Sequence, residues 1–264
     1  MDHESKRKGS SITRVLEILD TLAQSPYPLS PADLAIALDI PKPSIHRLLN
    51  TLDKEGYVQL DSYGGFTVGN KIHNLILNVW KSAPLKIERM SILEQLSNTI
   101  GETCGIAVMY DNHMAYTDRV QTNWPLQIYL PVGSKVPLWC TSSGKLFLSS
   151  LEHEQRNRIL KSLPIQKMTN NTIIDLSHLN KNMDQIAQQQ FSTDNEEFIA
   201  GMVAMSVPIV DSQQDLIACL YTHAPTVRKS LDNLLEFETT LRSAAQELSL
   251  LIQSIQAHKQ IKAE

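Results

Sequence analysis

The chain has 264 residues, 42% hydrophobic and 20% charged, a composition that predicts a soluble globular protein with room for two domains, each with its own core. With only 10 Gly and 12 Pro, and no apolar run near the roughly 18 residues that cross a bilayer, collagenous and membrane-spanning classes are excluded. The formal charge of −4 does not announce a polyanion binder, the 3 Cys form no C-x-x-C pair, and the charged segment 1–10 lacks the apolar stretch of a secretory signal, so a cytoplasmic protein with free thiols is expected.

From Ser11 to Ala23, Ile12, Val15, Leu16, Leu19 and Leu22 recur at helical spacing and predict a first amphipathic helix. After Ser25-Pro26-Tyr27-Pro28, the run Ser30-Pro31-Ala32-Asp33 supplies a capping hydroxyl, a proline for the first turn and an acid three residues on. A second short helix therefore starts there, turning Leu34, Ala35 and Leu38 inward. Pro41 and Pro43 fit only the first turn of a third helix, whose buried stripe is Ile45, Leu48, Leu49 and Leu52. Its opposite face collects Pro43, His46, Arg47, Asn50 and Lys54. Gly56 ends it, and strands Tyr57–Leu60 and Phe66–Val68 flank a turn over residues 61–65.

Three helices followed by a hairpin is the winged helix-turn-helix order, in which the outer face of the third helix enters the major groove. Arg47 can donate two bonds to guanine and Asn50 can pair with adenine, while Lys42, Ser44 and Lys54 suit phosphates and His46 shares the outward face. The basic run Lys6-Arg7-Lys8 would add charge, although acids outnumber bases over residues 1–70. Between residues 70 and 84, Ile72, Leu75, Ile76, Val79 and Trp80 form a helical stripe with no partner in the first domain, a candidate linker and dimer contact.

Beyond Pro84 the pattern becomes α+β: a helix over 86–100, a mainly antiparallel meander of strands over 103–110, 113–120 and 126–130, and helices over 142–150, 152–163 and 175–190. Strands over 203–210 and 216–222 flank a turn at 211–214, and a closing helix runs through Leu231, Leu234, Leu241, Ala245, Leu248, Ile252 and Ile255. The domains expected are a basic tail 1–10, a DNA-binding domain 11–70, a linker helix 71–83 and an effector domain 84–264. Cys140-Thr141-Ser142-Ser143-Gly144-Lys145 predicts a loop entering a helix, whose free amides, dipole and hydroxyls suit a carboxylate.

The motifs Ile12-Thr13-Arg14-Val15-Leu16-Glu17-Ile18-Leu19, Ile40-Pro41-Lys42-Pro43-Ser44-Ile45-His46-Arg47-Leu48-Leu49, Gly101-Glu102-Thr103-Cys104, Val132-Gly133-Ser134-Lys135-Val136-Pro137-Leu138, Ser143-Gly144-Lys145 and Asp194-Asn195-Glu196-Glu197 resemble the IclR-type bacterial transcriptional regulators. The resemblance extends from about Ser11 to Ser254 and departs where Pro43 and Ala224 stand. It implies a GAF-like antiparallel sheet with packed helices, a homodimer or homotetramer on double-stranded operator DNA, and a small carboxylate effector. Position by position it selects Ile128, Val136, Ser142, Ser143, Asp194, Met202, Ala204, Tyr221 and His223 as the effector pocket. An aromatic acid is somewhat favoured, flanked by Tyr221 and Met202.

Plainer roles stand beside these: Ser142 as an N-cap, Asp194 capping a turn, His223 as a solvated or core histidine. No cofactor, metal, membrane or catalysis is expected. Ser143-Gly144-Lys145 lacks the outer residues of a Walker loop, there is no H-E-x-x-H, and Glu152-His153-Glu154 falls on an exposed helical face. The alternatives are a ligand-independent DNA-binding protein and a thiol hydrolase built on Cys140 with His223 and Asp194.

Overall fold

The computed structural model describes residues 10–25, 27–61, 64–80 and 83–261, with backbone alone for 76–80, 83–85 and 255–261. Lys6-Arg7-Lys8, Pro26, the tip of the wing and the side chains of Ile76, Val79, Trp80 and Ile255 lie outside the described residues. The chain divides into two compact units, Met1–Val79 and Trp80–Glu264.

In the first unit, helix α1 (Ser11–Gln24) starts at Ser10, whose hydroxyl accepts the Thr13 amide. Its buried axis runs through Ile18 and Leu22 with Val15 and Leu19 at the margin, so Ile12 and Leu16, expected inside, are exposed. The apolar face of α1 is wider than the core it covers. Helix α2 (Pro31–Ala37) opens on the complete Ser30–Asp33 capping box. Asp39 then takes a left-handed conformation (φ 49°), turning the chain into α3 (Lys42–Lys54). Ile45, Leu49 and Leu52 of α3 meet Ile18, Leu34 and Ile40 in one core.

Gly56 (φ 75°) ends α3, and β1 (Val58–Leu60) pairs with β2 (Phe66–Val68), to which Leu29 adds a bridge. Helix α4 (Asn70–Trp80) follows Gly69, where a Cβ would lie 2.4 Å from the Gly56 carbonyl oxygen. The Gly69 amide donates to Tyr57 O and the Lys71 amide to Gly56 O, so the start of α4 is latched to the end of α3.

The second unit is a six-stranded antiparallel sheet between two helical layers. Its elements are α5 (Ala83–Ile100), β3 (Thr103–Tyr110), β4 (His113–Val120), β5 (Lys135–Val136), α6 (Ser142–Ser149), α7 (His153–Ser162), α8 (Leu176–Gln189), β6 (Ser192–Asn195), β7 (Met202–Val210), β8 (Leu216–Pro225), α9 (Leu231–Leu235) and α10 (Glu238–Ile261). The strand order is β5-β4-β3-β8-β7-β6. The strands do not form a simple meander: the first and last hairpins meet through β3 and β8. Helices α5 and α10 cover one face, where Ile106, Val203, Met205 and Leu220 are fully buried. The other face carries α6, with Leu160 of α7 and Leu179, Met183 and Ile186 of α8 in the same core.

Two further expectations are corrected. Residues 126–130 form no strand, because Arg119 takes the carbonyls of Ile128 and Leu130, Arg228 takes that of Leu126, and prolines stand at 125 and 131. The strand beside β4 is β5 instead. The closing helix is broken at 236–237, where the Phe237 amide donates to Leu234 O at i→i−3 and interrupts the ladder. Strand β6 was not anticipated, since Ser-Thr-Asp-Asn has no apolar alternation.

Candidate nucleic-acid and effector sites

On α3, Lys42, His46, Arg47, Asn50 and Lys54 are exposed and Ser44 is half-buried, so the face opposite the Ile45–Leu49–Leu52 stripe is open to solvent over the full helix. Its thirteen residues from Lys42 to Lys54 span about 18 Å. That suits a cylinder lying in a major groove with Arg47 and Asn50 central and lysines at the ends.

In the second unit, the register of the sheet decides which side chains share a face. Asp194, Ala204, His223 and Thr103 stand in one row across β6, β7, β8 and β3. The neighbouring row, two residues along, holds Ser192, Ser206, Tyr221, Gly105 and Arg119. Met202 lies opposite Pro225, and Val136 opposite Met114, on the same face. Every strand-borne residue expected in the pocket is therefore on the side covered by α6, and all are buried. Ile128 is half-buried on the 121–134 connection and enters through its carbonyl, which Arg119 holds at 2.8 Å.

Helix α6 lays its N-terminus on these rows. Thr141, not Ser142, is the N-cap, accepting the Gly144 amide at 3.1 Å. Ser142 is thus free for the sheet, and its hydroxyl shares a 2.7 Å hydrogen bond with Ser206. The amides of Ser142 and Ser143 are the first two of the helix, with no carbonyl one turn earlier to receive them. Gly144 permits the close approach: a Cβ there would lie 2.5 Å from Leu138 Cα.

Asp194 is 0% exposed. Its Oδ1 accepts the amides of Glu197 (2.7 Å) and Phe198 (3.3 Å), so the turn-capping role is real, but Oδ2 has no partner among the described residues. Burial, reinforced by the Glu197 carboxylate and opposed by those amides and by Lys145, pushes its carboxyl up to about 7. Lys145 is spent on Glu197 in a buried ion pair. His223 is neither solvated nor satisfied: both ring nitrogens are buried without a partner, and burial, aided by Arg119 and Arg228, drives it down to about 3. It stays neutral.

The Tyr221 ring stacks on Tyr116 at 4.3 Å and runs parallel to His223 at 6.0 Å, while its hydroxyl is buried and unpartnered. Gly105 makes room for that hydroxyl, since a Cβ there would lie 2.5 Å from it. Ser192 Oγ and Arg119 Nε are likewise buried without partners among the described residues. Orphaned buried polar atoms are rare in folded proteins, and among the described residues six of the eight gather on one face of one sheet, the others being Asn182 Oδ1 on α8 and Glu197 Oε2 beyond β6.

The sequence did not single out Arg119 or Tyr116. Strand parity puts residues 116 and 119 on opposite faces, but a bulge between the Ile106 and Ala107 pairings admits Thr117 as an extra residue and puts both on the α6 side. No local signal marks that bulge. Met202 and Tyr221 do not flank one ring, because four residues of β8, about 13 Å, separate Tyr221 from the partner of Met202. Cys140, expected as the alternative nucleophile, is buried, and burial with Asp194 and Glu197 nearby pushes its thiol up, away from the thiolate such chemistry needs. An open cleft of about 520 Å³ beside Ser97, Gly101, Val120, Thr122 and Trp124 contains none of the orphaned atoms. No helix among the described residues is long and apolar enough to cross a membrane.

A model of the IclR helix-turn-helix domain matches residues 11–62, and one of the C-terminal domain of bacterial IclR transcriptional regulators matches residues 77–250. The probable transcriptional regulator SauR of Cupriavidus necator is 33% identical over 92% of this chain and 97% of its own length. Among solved structures, Thermotoga maritima IclR aligns with TM-score 0.60 at 22% identity, covering 90% of this chain and 97% of that one. A double mutant of the inducer-binding domain of the Acinetobacter transcription factor PobR, in complex with 3-hydroxybenzoic acid, aligns with TM-score 0.56 at 26% identity, covering 60% of this chain and 94% of that domain. The α3 face, the sheet and its helices, and these matches along nearly the whole length agree: the chain belongs to the IclR family of bacterial transcriptional regulators.

Proposed function

We propose that the protein is a cytoplasmic regulator whose first unit reads operator DNA and whose second unit senses a small organic acid of a catabolic pathway, repressing or activating transcription as a homodimer or homotetramer. Arg47 and Asn50 read base edges, and Lys42, Ser44, His46 and Lys54 position α3 on the backbone. Ser142 and Ser143 receive the acid's carboxylate at the α6 N-terminus. Asp194, Tyr221 and His223 meet its other polar groups, while Val136, Met202, Ala204 and the Ile128 segment close the pocket. The linker helix α4 transmits the effector's preference for one arrangement to the spacing of paired recognition helices.

One observation carries this reading: the unpartnered atoms of Arg119, Ser192, Asp194, Tyr221 and His223 on the face that α6 covers. The double mutant of the PobR domain holds 3-hydroxybenzoic acid; here the rings of Tyr116, Tyr221 and His223 already stand together on the α6 side of the sheet. Parallel rings 6.0 Å apart leave no slot for a third, which needs about 7 Å. A compact, polar acid fits this pocket better than an aromatic one.

The test screens organic acids by thermal shift on the full chain and carries hits into a mobility-shift assay with operator fragments. The acid that stabilises the protein should alter operator affinity. Replacing Ser142 and Asp194 by Ala should remove that response with DNA binding intact; concurrent loss of DNA binding would refute the sensor role of these residues.

A further inference from the structure

Arg119 differs from the other arginines of its unit. Four of the other five pair with a carboxylate: Arg89 meets Asp118 at 2.8 Å, Arg156 meets Asp184, Arg228 meets Glu102 at 2.6 Å and Arg242 meets Glu238 at 2.8 Å. Arg119 has no carboxylate partner among the described residues: its terminal nitrogens donate to the Ile128 and Leu130 carbonyls, its guanidinium lies 5.7 Å from the Tyr129 ring, and its Nε is buried with nothing to donate to. A guanidinium held by neutral oxygens keeps its charge uncompensated, and its Nε edge has the geometry that receives an oxyanion side-on. The β4 bulge turns this residue toward the sensor face, and the register sets it beside Gly105, over which the orphaned Tyr221 hydroxyl lies. Ser206, to which α6 is bonded through Ser142, is in the same row three strand spacings away, about 14 Å between backbones.

We propose that Arg119, with the Tyr221 hydroxyl, is a second anion anchor opposite the α6 N-terminus, so that the effector is a small acid bearing two anionic groups. The proposal rests on the sensor reading above and makes it more specific. The first anionic group takes the amides and hydroxyls of Ser142 and Ser143; the second takes the Nε edge of Arg119 and the Tyr221 proton. Arg119 thereby sets specificity for acids with two charged ends over acids with one.

Titration calorimetry on the full chain tests this with pairs of equal carbon number: propionate against malonate, butyrate against succinate, valerate against glutarate. At least one dicarboxylate should bind about ten-fold or more tightly than its monocarboxylate partner. Arg119→Gln should bring that ratio to within about two-fold, whereas Arg119→Lys, which keeps the charge but has no Nε edge to offer side-on, should retain only part of it. A wild-type ratio near one overturns the proposal and leaves the sensor reading standing, as does a ratio unchanged in Arg119→Gln. Equal losses for both classes in Gln and Lys would assign Arg119 to supporting the 121–134 segment alone. If neither series binds, carboxylate sensing itself falls, and the second anchor with it.

Discussion

Replacing Asp194 by Asn removes a buried charge without disturbing what the side chain holds. Oδ1 still accepts the Glu197 and Phe198 amides, and the new Nδ2 stands where Oδ2 already lacks a partner, so the substitution loses no hydrogen bond. A carboxyl whose proton leaves near 7 in the fold, against an ordinary 3.8, binds that proton more tightly folded than unfolded. Its stabilising contribution is complete below pH 3.8, declines as the pH rises through 7, and is absent above. At pH 8 the ionised Asp194 therefore costs the fold about 4 kcal/mol relative to a neutral side chain. The Asn variant should be more stable than wild type by up to that amount at pH 8, with the difference shrinking toward pH 4. Paired urea titrations from pH 5 to 8 measure it. A difference that stays flat across this range, or an Asn variant weaker at pH 8, would refute the claim that burial dominates at this position. The same variant should respond poorly to effector, because stability gained by removing a strained site group is usually paid for in function.

On the DNA side, Arg47→Ala should lose roughly 1 to 3 kcal/mol on the operator and little on random fragments, measured by mobility shift; equal losses on both would make Arg47 a phosphate contact. Gly144→Ala places a Cβ 2.5 Å from Leu138 Cα, so the unfolding free energy of the second unit from urea titration should fall by about 1 to 3 kcal/mol, and an unchanged value would mean that α6 lifts off its seat at no cost. Asp39→Val puts a β-branched residue at φ 49° between α2 and α3 and should destabilise the first unit by about 1 to 2 kcal/mol, while Asp39→Gly should be neutral or better, both read from thermal melts.

The first unit was legible because its signals are local. The Ser30–Asp33 box, the first-turn prolines and the Ile45–Leu49–Leu52 stripe each act within one or two turns, and they place the outward face of α3 without tertiary information. Strands β3 and β4 were bounded correctly over 103–110 and 113–120 by their apolar runs and the Asp111-Asn112 turn. What escaped depends on long-range partners. Residues 126–130 alternate like a strand, yet two arginines from elsewhere claim their carbonyls. Strand β6 is invisible to hydrophobic patterning because the side chains that it sends to the α6 side of the sheet, Ser192 and Asp194, are polar. The exposure of Ile12 and Leu16 reflects the small core that a short helix can reach, which periodicity alone does not measure.

The two faces of the sheet obey different rules, and the contrast argues for a binding site on one of them. On the α5 side, the charged pair Arg89–Asp118 is buried and matched within a layer of Ile, Val, Met and Leu, as a structural core demands. On the α6 side, adjacent strands bring together a carboxyl oxygen, two ring nitrogens, a phenol, a hydroxyl and a guanidinium Nε with no partner among the described residues. Each such group costs about 1 to 3 kcal/mol when it is left unmatched in the interior. A core built only for stability would have replaced them with apolar side chains, as the opposite face has done at Val203, Met205 and Leu220. Their retention in one place is explained if an oxygen-rich ligand supplies the missing partners. Because that ligand restores bonds to groups already desolvated by the fold, it can be small and still bind tightly.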